Sequence, residues 1–130
     1  MSNPKEVSCY FIDDQQEEHV IFGYALKRAG LLVNCVYQYS AKAALEQLHK
    51  DEILPGLIIT DVNMPGMNGF ELLEELKRDE RLSHIPVYMF STNYTPERVE
   101  RAKALGAKEY FVKPESVAMH VELLKKIFNA

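Results

Sequence analysis

Two cysteines, no tryptophan, no basic block and no long apolar run remove several protein classes at once. Cys9 and Cys35 lie far apart and form no Cys-x-x-Cys pattern. A buried free thiol is the expected state of each, with a disulfide or metal site as the alternative. His19, His49, His84 and His120 are scattered singly, and none has a partner at metal-ligand spacing, which argues against zinc. No apolar stretch approaches the roughly 20 residues of a membrane helix. Met1 to Glu6 is polar and lacks the apolar core of a signal peptide, so the expected location is the cytoplasm. A net charge of −4 without a basic cluster argues against direct nucleic-acid binding. What remains is 130 residues, 47% hydrophobic and 26% charged: an ordinary one-domain composition. Residues 1–6 read as a tail and 7–130 as the domain.

Strands and helices alternate along the domain. Val7 to Ile12 reads as a strand buried on both faces, followed by a helix with apolar positions Val20, Ile21, Tyr24 and Ala25 and a terminating Gly30. A strand near Cys35 to Tyr39 leads through Ser40, an N-cap, into a helix carrying Ala41, Ala44, Leu45 and Leu48. Leu57 to Thr60 is the third strand, and the next helix sets Phe70, Leu73 and Leu76 on one face. The fourth strand, Ile85 to Phe90, tolerates Pro86 near its start. Thr95-Pro96 then opens a helix whose thin stripe, Val99, Ala102 and Leu105, makes it the least firmly packed. Tyr110 to Val112 is the fifth strand, and the last helix carries Val117, Val121, Leu124 and Phe128. Such alternation implies an α/β/α sandwich around a parallel sheet. Right-handed crossovers leave few topologies, among them the flavodoxin-like order 2-1-3-4-5, which sets strands one and three side by side.

Polar groups gather at the strand ends. Asp13 and Asp14 close the first strand, Asp61 the third, Ser91 the fourth and Lys113 the fifth. Ligands of an open parallel sheet bind outside those ends, so these groups should converge on one crevice. Three carboxylates brought together raise one another's pKa unless a cation sits between them. Magnesium suits an all-oxygen set that keeps waters exchangeable for phosphate oxygens; manganese or calcium could replace it. Asp61 can then act as a nucleophile toward phosphorus, with the cation and Lys113 offsetting charge on the phosphoryl oxygens. Taken singly, each residue has a plainer role: Asp13, Asp14 and Ser91 as caps, Asp61 as a turn residue, Lys113 as a solvated surface lysine. Their joint occurrence favours the functional reading.

The acidic pair of FIDD, the run LIITDVNMPGMNGFELL, the strand end VYMFST and the segment GAKEYFVKP together resemble the receiver domain of two-component response regulators, over nearly the whole chain. The resemblance implies that Asp61 is the phosphoacceptor, Asp14 a direct metal ligand, Asp13 a ligand acting through water, and the Asn63 carbonyl the last protein ligand. It makes Ser91 the switch hydroxyl, Tyr110 the switching aromatic and Lys113 the phosphate partner, with a cis peptide at Lys113-Pro114. Asn63 and Asn93 occupy the positions that tune phosphate lifetime. Serine at the switch keeps the hydroxyl but lacks threonine's methyl group, which would loosen the coupling. The face of the fourth helix and fifth strand becomes the output surface.

The implied partners are a sensor histidine kinase or histidine phosphotransfer protein upstream and a protein target downstream, with the domain a monomer or weak dimer. It would be no enzyme beyond catalysing its own phosphorylation and dephosphorylation. Three rival readings stand beside this one. A phosphatase resembling haloacid dehalogenases needs a second Asp where Asn63 stands, and a cap domain. A flavin-binding protein needs a hydroxyl- and glycine-rich loop where Asp13-Asp14-Gln15-Gln16-Glu17-Glu18 would repel phosphate. A binding module with a purely structural metal site would not label with phosphodonors. No effector segment follows the last helix, so the chain is either a stand-alone receiver or a piece of a longer protein; its ending reads as a natural terminus.

Overall fold

The computed structural model describes residues 7–129, so the tail read from residues 1–6 lies outside it. The elements are β1 (Val7–Ile12), α1 (Gln16–Arg28), β2 (Val33–Gln38), α2 (Ala41–Lys50), β3 (Leu57–Asp61), α3 (Gly69–Arg78), β4 (Val87–Ser91), α4 (Pro96–Ala104), β5 (Glu109–Val112) and α5 (Val117–Phe128). All pairings are parallel, and the sheet order is β2-β1-β3-β4-β5, as expected. Among the described residues no helix is long and apolar enough to cross a membrane.

Side chains alternate across a strand, and this splits the core in two. Tyr10, Ile12, Ile58, Val87 and Met89 pack with Leu48 of α2 and with Phe70 and Leu73 of α3. Cys9, Phe11, Ile59, Tyr88 and Phe90 face the other way, toward Phe22 and Leu26 of α1 and Leu124 of α5. With both faces covered, β3 and β4 are buried along their whole length. Ser40, Thr95 and Ser116 each cap a helix by accepting a backbone N–H, and Asn68 with Glu71 forms a reciprocal capping box on α3.

Several expectations need correction. β2 starts two residues earlier than the apolar run suggested, because Val33 pairs with Val7. Ile85 and Pro86 precede β4 rather than belonging to it. In α1 the buried face is His19, Phe22, Ala25 and Leu26, while Val20 and Tyr24 are 65% and 53% exposed. Stacking of Phe22 on Phe11, with centroids 4.0 Å apart, fixes the rotation of that helix. In α5 the buried line is His120, Leu124 and Ile127; the expected Val117, Val121 and Phe128 form its half-buried flank. No cis peptide occurs among the described residues, so Lys113–Pro114 is trans. Trans is preferred by about 0.5–1 kcal/mol even before proline. In that form Lys113 already reaches Asp13, at 2.9 Å. Both thiols are free; Cys9 is buried, whereas its register partner Cys35 is only part-buried.

Candidate functional site

Sheet hydrogen bonding runs one residue past the strands and thereby fixes the residues that follow them. The Asp13 N–H donates to the Gln38 carbonyl at 3.1 Å, Val62 to Phe90 at 3.1 Å and Lys113 to Ser91 at 2.9 Å. Ile12 lies opposite Thr60, which brings Asp13 alongside Asp61. The helix after β3 must start very close to it. A Cβ on Gly69 would stand 2.6 Å from the Asp61 carbonyl oxygen, so only glycine lets α3 begin there.

Asp13, Asp14 and Asp61 each offer a carboxylate oxygen, and the three atoms lie within 4.8 Å of one another. Asp13 and Asp61 are buried, while Asp14 faces solvent. The Lys113 ammonium stands 2.9 Å from Asp13 Oδ2, 3.8 Å from Asp61 Oδ2 and 3.9 Å from Glu18 Oε1. One oxygen of Asp61 accepts the Val62 N–H at 3.0 Å, which leaves Oδ2 facing the lysine with no hydrogen bond among the described residues.

Burial pushes the Asp61 carboxyl up to about 6; Asp13 and Asp14 add to that shift, while Lys113 and the Val62 N–H oppose it. Burial works against the charge on Lys113, but its bond to Asp13 and the fields of Asp61, Asp13 and Glu18 outweigh this and raise its pKa. Three carboxylates share one ammonium at close range, with an open side at Asp14. An all-oxygen, charge-excess set of this kind fits a hard divalent cation that keeps part of its water.

Ser91 is fully buried, and its hydroxyl is engaged with the next loop: Oγ accepts the Asn93 N–H at 3.0 Å and donates to the Asn93 carbonyl at 3.3 Å. The Tyr110 hydroxyl donates to that same carbonyl at 2.6 Å. One backbone oxygen therefore joins the hydroxyl and the aromatic that the resemblance pairs as a switch. The Tyr110 ring is buried, parallel to Phe70 at 6.3 Å and tilted against Tyr94 at 5.8 Å. Asn63 and Asn93 are both exposed, on the loops after β3 and β4. A cavity of about 420 Å³ adjoins the lysine, bounded by Glu18, Thr92, Ser116 and His120.

Two participants were not anticipated as part of the cluster. Glu18 reaches Lys113 from α1, and buried His19 donates from Nε2 to the Asp13 carbonyl at 2.7 Å. The burial of His19 could have been sensed from its place one turn before Phe22 and Gly23, but its backbone acceptor has no signature in residue types.

Comparison with known proteins agrees with this geometry. The family model described as response regulator receiver domain matches residues 10–127. Chemotaxis protein CheY-3 of Vibrio cholerae is 40% identical over 86 residues, 66% of this chain and 65% of that protein, so the match spans just under two thirds of its length. Two-component response regulator ORR13 of Oryza sativa subsp. japonica is 35% identical over 107 residues, 82% of this chain and 86% of that one. The crystal structure of response regulator RPA3017, in red light signaling of R. palustris, superimposes with a TM-score of 0.87 at 21% identity, over 95% of this chain and 92% of the other; that likeness concerns the fold alone. A shared fold would leave the chemistry open, but the family match runs from β1 into α5 and takes in every strand end that bears a site residue: this chain belongs to the family of response regulator receiver domains.

Proposed function

We propose that this receiver accepts a phosphoryl group on Asp61 from the phosphohistidine of a sensor kinase or phosphotransfer protein, in a magnesium-dependent reaction, and that the change is passed to a protein target through Ser91 and Tyr110. The observation that carries the reading is the Asp61 carboxylate itself: buried at a strand end, one oxygen committed to Val62 and the other beside Lys113 with no hydrogen bond among the described residues. That second oxygen attacks phosphorus, the bond from phosphorus to the donor nitrogen breaks, and an acyl phosphate forms while the donor imidazole leaves. Attack by water on phosphorus later returns the carboxylate and releases inorganic phosphate.

Asp13, Asp14, Asp61 and the Asn63 carbonyl would hold the cation, magnesium or in its place manganese. When bound, it supplies positive charge that offsets the charge on the phosphoryl oxygens. Lys113 adds a second such charge by turning from Asp61 Oδ2 to a phosphoryl oxygen. The Ser91 hydroxyl exchanges the Asn93 carbonyl for a phosphoryl oxygen, which is the stronger acceptor. That exchange draws the β4–α4 loop inward and alters the seat of the Tyr110 hydroxyl. Asn63 and Asn93, exposed on either side, would control access of the hydrolytic water. The reading places the protein in the cytoplasm, as a monomer or weak dimer with protein partners on both sides.

Intact mass after incubation with phosphoramidate, with and without magnesium, tests the reading. One added phosphoryl group, requiring magnesium and absent in Asp61→Asn, is the expected result. No addition under any condition would favour a binding module with a structural cation site.

A further inference from the structure

Asp13 is held at every hydrogen-bonding group it has. Its N–H donates to the Gln38 carbonyl at 3.1 Å, Oδ1 accepts the Gln15 N–H at 2.9 Å, and Oδ2 accepts from Lys113 Nζ at 2.9 Å. Its carbonyl accepts from His19 Nε2 at 2.7 Å. Asp14 is different. It is exposed, and among the described residues its carboxylate has no hydrogen-bond or ion-pair partner. The aim of Asp14 is therefore set by its backbone.

That backbone is what His19 grips. The carbonyl of Asp13 lies in the rigid peptide plane that joins Asp13 to Asp14. Fixing the direction of this carbonyl fixes the rotation of the plane, and with it the direction in which the Asp14 side chain leaves the chain. His19 is itself immobilised. Its ring meets Phe11 edge-on at 5.2 Å, Tyr37 at 5.4 Å and Tyr39 at 4.2 Å. Because a carbonyl can only accept, Nε2 carries the proton, and in the neutral ring Nδ1 is then a bare acceptor. Nδ1 is buried and has no hydrogen-bond partner among the described residues. An apolar side chain would fill the same space without that cost, so packing alone does not account for histidine here.

We propose that His19 is a positioning residue for the cation site: by holding the Asp13–Asp14 peptide plane it presets the two carboxylates of the first strand end for a divalent cation. This rests on the cation-dependent reading above and names a residue outside the cation's own ligands. Loss of a group that orients metal ligands typically weakens metal affinity by about 10–100-fold.

Glutamine and methionine have similar shape, but only glutamine can donate to the carbonyl, so His19→Gln and His19→Met form the decisive pair. Magnesium dissociation constants from calorimetric titration, with melting temperatures measured alongside, give the readout. His19→Met should bind magnesium about 10–100-fold more weakly than wild type, and His19→Gln should recover most of that loss even where both melt at the same lower temperature. Equal constants in the two variants, or a wild-type constant in His19→Met, would overturn the proposal. Should His19→Met fail to fold, His19→Phe keeps the ring contacts and takes its place under the same criterion. A wild-type protein that binds no magnesium would instead sink the cation reading itself, and this inference with it.

Discussion

The two helices that leave the site-bearing central strands are built differently. α3, after β3, buries Gly69, Phe70, Leu72, Leu73 and Leu76 and starts with a reciprocal capping box. α4, after β4, buries Ala102 alone, with Val99 and Leu105 only half covered. The first is anchored within van der Waals reach of Asp61; the second is tethered through the Ser91–Asn93–Tyr110 hydrogen bonds at its entry. On the proposed function, the fixed half would place the nucleophile, and the lightly packed half would be free to report what has happened to it. Regions that move are drawn from parts of low local stability, which here means few buried apolar contacts.

The sharpest break of this contrast is at Asp61, the proposed nucleophile. Asp61→Asn should abolish phosphoryl labelling while leaving the far-ultraviolet circular dichroism spectrum unchanged; labelling at the wild-type level would refute the assignment. Next comes the packing itself. Leu73→Ala on α3 should cost about 2–5 kcal/mol in urea unfolding, the usual range for a buried leucine. Val99→Ala on α4 should cost about 1 kcal/mol or less, since little is buried there. Similar losses at both sites would erase the distinction between the helices.

A subtler sharpening uses pH, without metal. The folded-state pKa of Asp61, raised to about 6 from 3.8, means that the native protein binds more protons than the unfolded chain between those values. Stability from this group is therefore present below the unfolded pKa and is lost as pH rises through the folded one, by up to about 3 kcal/mol. Asp61→Asn lacks that loss. The variant should gain stability relative to wild type on going from pH 4.5 to pH 7.5 in metal-free urea unfolding. A pH-independent difference between the two would contradict the burial penalty. The smallest effect is expected from Tyr110→Phe, which removes one hydroxyl bond to the Asn93 carbonyl, about 1 kcal/mol. Labelling should persist in that variant while the response of α4 to phosphorylation weakens.

The contrast between the halves was partly legible in the sequence. Apolar runs of β-branched and aromatic residues ending in Asp13, Asp61 and Ser91 marked both strands and site, because a strand buried on two faces is mostly apolar until it emerges. Lys113 follows a shorter edge strand, β5, of which only Tyr110 is buried. The thin stripe of Val99, Ala102 and Leu105 likewise foretold a loosely held α4. Rotation of α1 and α5 was not legible. Both carry apolar residues on neighbouring faces, and only the partner surface, such as Phe11 against Phe22, selects one. The cis form expected at Lys113–Pro114 came from resemblance, and the trans bond already brings the lysine to Asp13. The roles of the Asp13 and Asn93 carbonyls were invisible, because every residue type carries the same acceptor.

Amide hydrogen exchange, read by mass spectrometry on the protein before and after phosphorylation with phosphoramidate and magnesium, tests the division of labour most directly. The expected outcome is a change in exchange concentrated in the loop after Ser91, in α4 and around Tyr110, with the interior of α3 unchanged. Equal changes in α3 and α4, or none beyond the immediate surroundings of Asp61, would contradict it.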